Sequence, residues 1–130
     1  MRTGATAVYH WVALLIAAGA VVQFFLAGVG VFGADSFDAH ESLGWSLHTA
    51  SLVVLIAAIV GPRTRDAIVL SVIFVVVFTI QVMLPGARDD SPWLAAFHPL
   101  LALAVLGLAV RIGMPALSRR RGASAPRPAR

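Results

Sequence analysis

The stretch A-I-V-L-S-V-I-F-V-V-V-F-T-I-Q-V-M-L, residues Ala67–Leu84, contains no charged side chain. Such a run has close to the length of about 20 residues that a helix needs to cross the hydrocarbon core. Three more charge-free stretches flank it, between Arg2 and Asp35, between Glu41 and Arg63, and between Asp90 and Arg111. None of them has the alternating polarity of a membrane β-barrel. The sequence therefore predicts an all-α, four-transmembrane-helix bundle with helices at about Ala7–Val31, His40–Val60, Ala67–Leu84 and Trp93–Val110.

The composition excludes several classes of protein. Of the 130 residues, 59% are hydrophobic and 12% are charged, which is outside the range of a soluble domain. There is no cysteine, so disulfides, thiolate metal sites, iron–sulfur clusters and covalently attached haem are excluded. The chain also lacks a nucleophile–base arrangement, a phosphate loop and a zinc-protease motif, so an enzyme is not the interpretation we favour.

The arginines predict how the chain is oriented. All ten basic residues are arginines, and nine of them fall on one side of a four-helix topology, whereas Arg88 falls on the other. The positive-inside rule then places both termini in the cytoplasm, and we expect a multi-pass protein of a bacterial inner (plasma) membrane. Residues 118–130 are rich in Arg, Pro, Ala and Ser. We predict a disordered tail that lies against anionic headgroups and binds no nucleic acid.

Short connections between the predicted helices favour an up-down-up-down bundle over residues 1–117, built from two repeated helical hairpins. Helices 1 and 2 form the first hairpin, and helices 3 and 4 form the second. Two hairpins in the same orientation are related by a pseudo-two-fold axis along the membrane normal. Small residues facing the lipid would also allow a homodimer.

A polar motif occurs once in each hairpin. Gln23 and Gln81 each begin the pattern Q-x-x-L-x-G, and each is followed 17 residues later by a histidine, His40 or His98. The two copies are 58 positions apart without a gap. Glutamine and histidine are rare in this chain and costly in lipid, so we interpret their recurrence as a duplication or as selection for a symmetric site.

The two motif histidines begin helices 2 and 4, which lie diagonally across a square bundle. Neighbouring helix axes are about 8–10 Å apart, so the diagonal is about 12–14 Å. We expect this gap to be too wide for two imidazoles to touch or to share a small ion. It suits a haem b with His40 and His98 as the two iron ligands.

Other residues near the outer ends are candidates to line the same site. Gly28 and other glycines would let a porphyrin approach the backbone, and Phe24, Phe25, Phe37 and Phe97 would form apolar walls. Arg88 is the only outer arginine available for propionates. Gln23 and Gln81 would donate hydrogen bonds to propionates or to loop carbonyls, or act as polar links between helices.

His48 and His10 have no counterpart in the other hairpin. His48 would lie about 12 Å deeper than His40, and we expect it to hydrogen-bond near Thr49 or Ser51 on its own helix. A second haem between His10 and His48 is an alternative. We expect His10 to be an interfacial anchor beside Tyr9 and Trp11.

The two copies of Q-x-x-L-x-G, each followed by a histidine that opens the next helix, resemble one half of haem A synthase. This resemblance implies that His40 and His98 are axial haem ligands. It does not extend to oxidation of a haem methyl group, because Phe37 and Glu41 stand where that family's catalytic half has a glutamate and an arginine. The sequences V-Q-F-F-L-A-G, F-D-A-H and F-H-P-L also resemble a family of small four-helix bacterial membrane proteins without an assigned function.

Three functions remain open. The first is a haem b protein for electron transfer or haem handling, with a redox partner protein or a quinone. The second is a non-haem structural or accessory subunit, in which the histidines serve packing. The third is a divalent-metal site formed by His40, His48 and an acid such as Asp38.

Overall fold

The computed structural model describes residues 2–123, and the side chains of residues 2–118. It contains α1 (Arg2–Val31), α2 (Asp38–Val60), α3 (Arg65–Met83), a 3₁₀ turn (Leu84–Ala87), α4 (Pro92–Ala95) and α5 (His98–Ala123). Four segments are long and apolar enough to cross a membrane, namely Arg2–Val31, Asp38–Val60, Arg65–Ala87 and Pro92–Ser118. The predicted all-α four-helix bundle is confirmed.

The helix ends carry the signals expected of their sequences. Gly33 has a φ of 68° directly after α1, a left-handed conformation that costs a glycine little. The Thr64 hydroxyl accepts a hydrogen bond from the Ala67 amide at 3.2 Å and so caps α3. Pro85 is the second residue of the 3₁₀ turn, and Pro92 is the first residue of α4. The chain therefore reverses within short connections.

The long helices form a closed ring. α1 packs on α2 and α5, and α3 packs on the same two helices, so α2 and α5 are diagonal. His40 near the start of α2 and His98 at the start of α5 are thus at one end of the bundle. We call this end, together with the connections 32–37 and 84–97, the histidine end. The opposite end, where α1 and α3 begin, we call the arginine end.

Small side chains fill much of the bundle interior, while large apolar side chains face outwards. The core includes Ala13, Ala57, Ala58 and Ala109 beside the fully buried Phe74. By contrast, many valines, leucines, isoleucines and phenylalanines are exposed around the outside of the bundle. Without a hydrophobic driving force between helices in lipid, small residues let the helices pack closely. This distribution suits a bundle surrounded by hydrocarbon.

The observed helices agree with the predicted ones within a few residues, except at the ends of the chain and at the start of the fourth helix. The predicted helix Trp93–Val110 is broken there, since α4 covers Pro92–Ala95 and α5 begins at His98. α1 begins at Arg2 rather than Ala7, and α5 continues to Ala123, well past the predicted end at Val110. The predictions followed the apolar runs, but the helical backbone continues beyond the ends of those runs. Of the predicted disordered tail, 118–130, residues 118–123 belong to α5. The rest of it is outside the described residues.

Candidate functional site

Each motif histidine is hydrogen-bonded to the glutamine that begins its own motif. Nδ1 of His40 lies 3.1 Å from the backbone oxygen of Gln23, and Nδ1 of His98 lies 2.8 Å from that of Gln81. A carbonyl oxygen only accepts, so both imidazoles donate from Nδ1. The 17-residue spacing therefore has a structural basis, because it joins the end of one helix to the start of the next.

This bond also determines the role of the other ring nitrogen. A neutral imidazole that donates from Nδ1 carries its lone pair on Nε2. Metal-binding histidines are commonly held in this way, since a carbonyl on one nitrogen fixes the tautomer and the ring orientation of the other. Both His40 and His98 therefore present Nε2 as an acceptor or a ligand.

The two imidazoles approach each other across the bundle. Their ring centroids are 6.0 Å apart, with an angle of 65° between the ring planes. The rings are closer together than the axes of their helices, because the two side chains extend towards each other from diagonal helices. The spacing argument against a shared small ion was therefore wrong.

The side chains of Gln23 and Gln81 are close to the histidines but differ in their partners. Gln23 Nε2 donates to the backbone oxygen of His40 at 2.9 Å. Gln81 Nε2 lies 3.3 Å from Nε2 of His98, which is the accepting nitrogen of that ring. In both residues the amide oxygen Oε1 is buried and has no hydrogen-bond partner. Two unpaired acceptors at matched positions beside two imidazoles are unusual, because buried polar groups are nearly always satisfied.

The other predicted site residues lie around this pair at different distances. A Cβ added to Gly28 would meet nothing within 4 Å, and the same holds for its repeat equivalent Gly86. Both glycines therefore border open space. Arg88 is on the surface, with its side chain 77% exposed, and forms an ion pair with Asp89 at 3.5 Å.

Among the predicted aromatic walls, Phe37 is beside a histidine. Its ring centroid is 6.2 Å from that of His40 in an edge-to-face arrangement. Phe24, Phe25 and Phe97 are exposed by 40%, 71% and 54% of their surface. These three rings therefore face largely outwards rather than into the bundle.

His48 has a different partner from the one expected. Its Nε2 lies 3.0 Å from the hydroxyl oxygen of Thr79 on α3, which itself donates to the Val75 carbonyl. His48 is therefore the donor, and its ring packs edge-to-face against Trp45 and Phe78. The predicted partners, Thr49 and Ser51, are on α2 with His48 itself. The His48 side chain instead crosses to Thr79 on the neighbouring helix α3.

His10 is a core residue rather than an interfacial anchor. It is 8% exposed, and its Nδ1 lies 2.6 Å from the backbone oxygen of Ile112 on α5. α1 and α5 come close here. A Cβ added to Gly113 would lie 2.5 Å from Leu14 and 3.2 Å from the His10 carbonyl, so only a glycine leaves room at this position. His10 thus bonds to α5 and His48 to α3, and no ring contact between them is found among the described residues.

The divalent-metal interpretation finds no ligand cluster in the described part of the chain. Within residues 2–118, no three His, Cys, Asp or Glu side chains are grouped so that they could hold a metal ion. His40 and His98 approach each other as a pair, without Asp38 or His48. Two ligands alone are fewer than the three or four that protein sites for zinc normally provide.

Sequence reasoning missed a second polar cluster at the arginine end. Tyr9, His10, Asp66 and Arg111 line a cavity of about 260 Å³ between α1, α3 and α5. Pro115 also lines it, and a proline within a helix disrupts the hydrogen bonds of the preceding turn. The available sequence signal was a proline, Pro115, four residues after the charged Arg111 in an otherwise apolar part of the helix.

Comparison with protein families gives a match over part of the chain. Residues 23–87, half of the 130-residue chain, match the model of a family of unknown function (DUF6220). The chain belongs to this family. The matched segment of this chain includes the first motif with His40 and extends to Gln81 and Gly86 of the second motif. Membership agrees with the resemblance to proteins without an assigned function and has no bearing on that to haem A synthase. No curated protein and no solved structure was found to match the chain.

Proposed function

We propose that this protein binds one haem b between His40 and His98 and serves in electron transfer or haem handling. The observation that carries the proposal is the pair of matched Nδ1–carbonyl bonds, which leave two Nε2 atoms as ligands on imidazoles 6.0 Å apart. Histidine nitrogen is an ordinary ligand of haem iron, and His40 and His98 would hold the group from diagonal helices through Nε2. The residues therefore fit the group.

Further features support a macrocycle over a bare ion. A porphyrin supplies four of the six iron ligands, so only two histidines are required of the protein. Gly28 and Gly86 border open space at the same end of the bundle. Independently of the choice between macrocycle and ion, the orphaned amide oxygens of Gln23 and Gln81 indicate an environment that is incomplete with the protein's own groups.

When bound, haem b supplies a one-electron redox centre. Ligation by both His40 and His98 would leave no open position on the iron, which would favour electron transfer or haem storage over oxygen chemistry. The role of the Gln23 and Gln81 carbonyls is to hold the imidazole orientation and raise ligand basicity. A redox partner protein or a quinone would exchange electrons with such a centre.

The proposal includes a location. Arg2, Arg63, Arg65 and Arg111 are all at the arginine end of the bundle, whereas Arg88 is at the histidine end. By the positive-inside rule, both termini then face the cytoplasm and the histidine pair faces the outer side of a bacterial inner membrane.

One observation favours a structural or accessory subunit instead. Nε2 of His98 already accepts a hydrogen bond from the Gln81 amide, so one histidine is satisfied without any metal. On this alternative, the Gln–His bonds hold each hairpin closed and have no further role. Haem binding requires the Gln81 amide to turn away, whereas the structural role requires it to stay.

The first test is the reduced-minus-oxidised visible spectrum of detergent-purified protein, with a pyridine haemochrome assay on the same sample. Sharp low-spin α and β bands at about one haem per chain are expected for bis-histidine ligation. His40→Ala or His98→Ala should each abolish the low-spin spectrum, whereas the control His48→Ala should keep it. Absence of bands even after adding hemin, with normal helical content, would exclude the proposal and leave the structural subunit.

A further inference from the structure

The arginine end of the bundle contains a second polar site, remote from the histidine pair. Its cavity of about 260 Å³ lies between α1, α3 and α5. Asp66 is in the first turn of α3, next to the charge-free stretch that follows it, and Arg111 immediately follows the charge-free stretch of α5. Both charges therefore lie at the ends of charge-free stretches, where we expect the lipid headgroups.

The two opposite charges line the same cavity without pairing. In residues 2–118 the only ion pair within 4 Å is that between Arg88 and Asp89, at the other end of the bundle. A purely anionic ligand would be attracted by Arg111 and repelled by Asp66, and a purely cationic one would meet the reverse. A ligand that carries both charges satisfies both side chains.

His10 indicates which kind of cationic group the ligand carries. Because its Nδ1 donates to the Ile112 carbonyl, a neutral His10 has its lone pair on Nε2. The polar lining thus consists of two acceptors, Asp66 and His10, one cation, Arg111, and the Tyr9 hydroxyl, which can donate or accept. A primary ammonium has N–H donors for both acceptors, whereas a quaternary ammonium has none. The apolar residues Ala67, Leu70, Ile112 and Pro115 complete the lining.

We propose that this cavity binds the headgroup of a zwitterionic phospholipid with a primary amine, such as phosphatidylethanolamine. Arg111 binds the phosphate, since guanidinium groups suit phosphate oxygens. Asp66 and His10 accept from the ammonium. The acyl chains remain in the surrounding bilayer. The site is independent of haem binding at the opposite end.

Native mass spectrometry of the full chain tests the proposal. Detergent-solubilised protein is mixed with equal concentrations of dioleoyl phosphatidylethanolamine, phosphatidylcholine and phosphatidylglycerol, and the bound fractions are compared. We expect phosphatidylethanolamine to bind at least about fivefold more than either of the others, as partly exposed charge pairs allow. Equal binding of all three lipids would overturn the proposal.

Matched variants assign the effect to the two charges. Asp66→Asn should remove the preference for phosphatidylethanolamine over phosphatidylglycerol, and Asp66→Glu should restore it. Arg111→Gln should weaken binding of all three lipids. The control Arg65→Gln removes an exposed arginine of α3 that does not line the cavity and should leave the preference unchanged. An equal loss in Arg65→Gln and Arg111→Gln would show general headgroup attraction instead of a site.

Free phosphoethanolamine distinguishes a lipid site from a site for a soluble metabolite. If the lipid is the ligand, a hundredfold excess of phosphoethanolamine should displace little of it, because the acyl chains add to its affinity. Displacement of most of the bound lipid would contradict a lipid site. Arg65, Asp66 and Arg111 are all exposed, so their substitution leaves the core of the bundle unchanged. Circular dichroism checks that each variant keeps its helical content.

Discussion

Gly44 explains why the two copies of the motif differ, and it provides the sharpest test of the site's geometry. A Cβ on Gly44 would lie 2.9 Å from Gln23 Nε2, the atom that donates to the His40 carbonyl. The equivalent position of the second copy, 58 residues on, is Ala102, and there the glutamine amide lies against the imidazole instead. We therefore predict that Gly44→Ala moves the Gln23 amide from the carbonyl of His40 to its Nε2.

The expected change in stability is small and positive. Replacing glycine with alanine inside a helix gains about 0.8–1.0 kcal/mol. Exchanging one amide hydrogen bond for another should cost little, since such bonds average about 0.6 kcal/mol in membrane bundles. Gly44→Ala should therefore raise the free energy of unfolding by about 0.5–1 kcal/mol. Gly107→Ala is the control, because a Cβ there meets nothing within 4 Å.

The assay is reversible unfolding of haem-free protein in mixed micelles, followed by circular dichroism. Nitrogen-15 NMR of the His40 ring reports whether Nε2 gains a hydrogen bond. The reasoning would be refuted if Gly44→Ala were less stable than Gly107→Ala by about 1–3 kcal/mol, the cost of a buried donor left unpaired. It would also fail if Gln23 stayed bonded to the His40 carbonyl in the variant.

Three other predictions follow from single contacts. Gly61→Ala should lower the free energy of unfolding by about 1–3 kcal/mol, because its Cβ would lie 2.7 Å from the backbone nitrogen of Thr6; a neutral result in the same micelle assay would contradict this. His10→Leu should cost about 1 kcal/mol by removing the donor to Ile112 and leave the visible spectrum unchanged; loss of a haem band would instead support a second haem. The chain has no cysteine, so Ser91→Cys should react with an impermeant maleimide on intact cells and Ser118→Cys only after lysis; the opposite pattern would reverse the proposed orientation.

The sequence alone was enough to predict the helices and the end of the bundle at which His40 and His98 lie. Hydropathy is a local property, and a run of about 20 uncharged residues has few alternatives to a membrane helix. The motif spacing also indicated that Gln23 belongs with His40 and that Gln81 belongs with His98. Each histidine is hydrogen-bonded to the glutamine 17 residues before it, and this bond joins two helices that are consecutive in the chain.

The tertiary structure alone decided which polar side chains meet. The distance between the His40 and His98 rings depends on side-chain direction, which helix-axis geometry does not specify. His48 bonds to Thr79, 31 positions away, and His10 to Ile112, 102 positions away. The cavity with Asp66 and Arg111 likewise joins three helices. Hydropathy makes each helix suited to cross a membrane, but close packing of small residues between helices determines its rotation and so its neighbours.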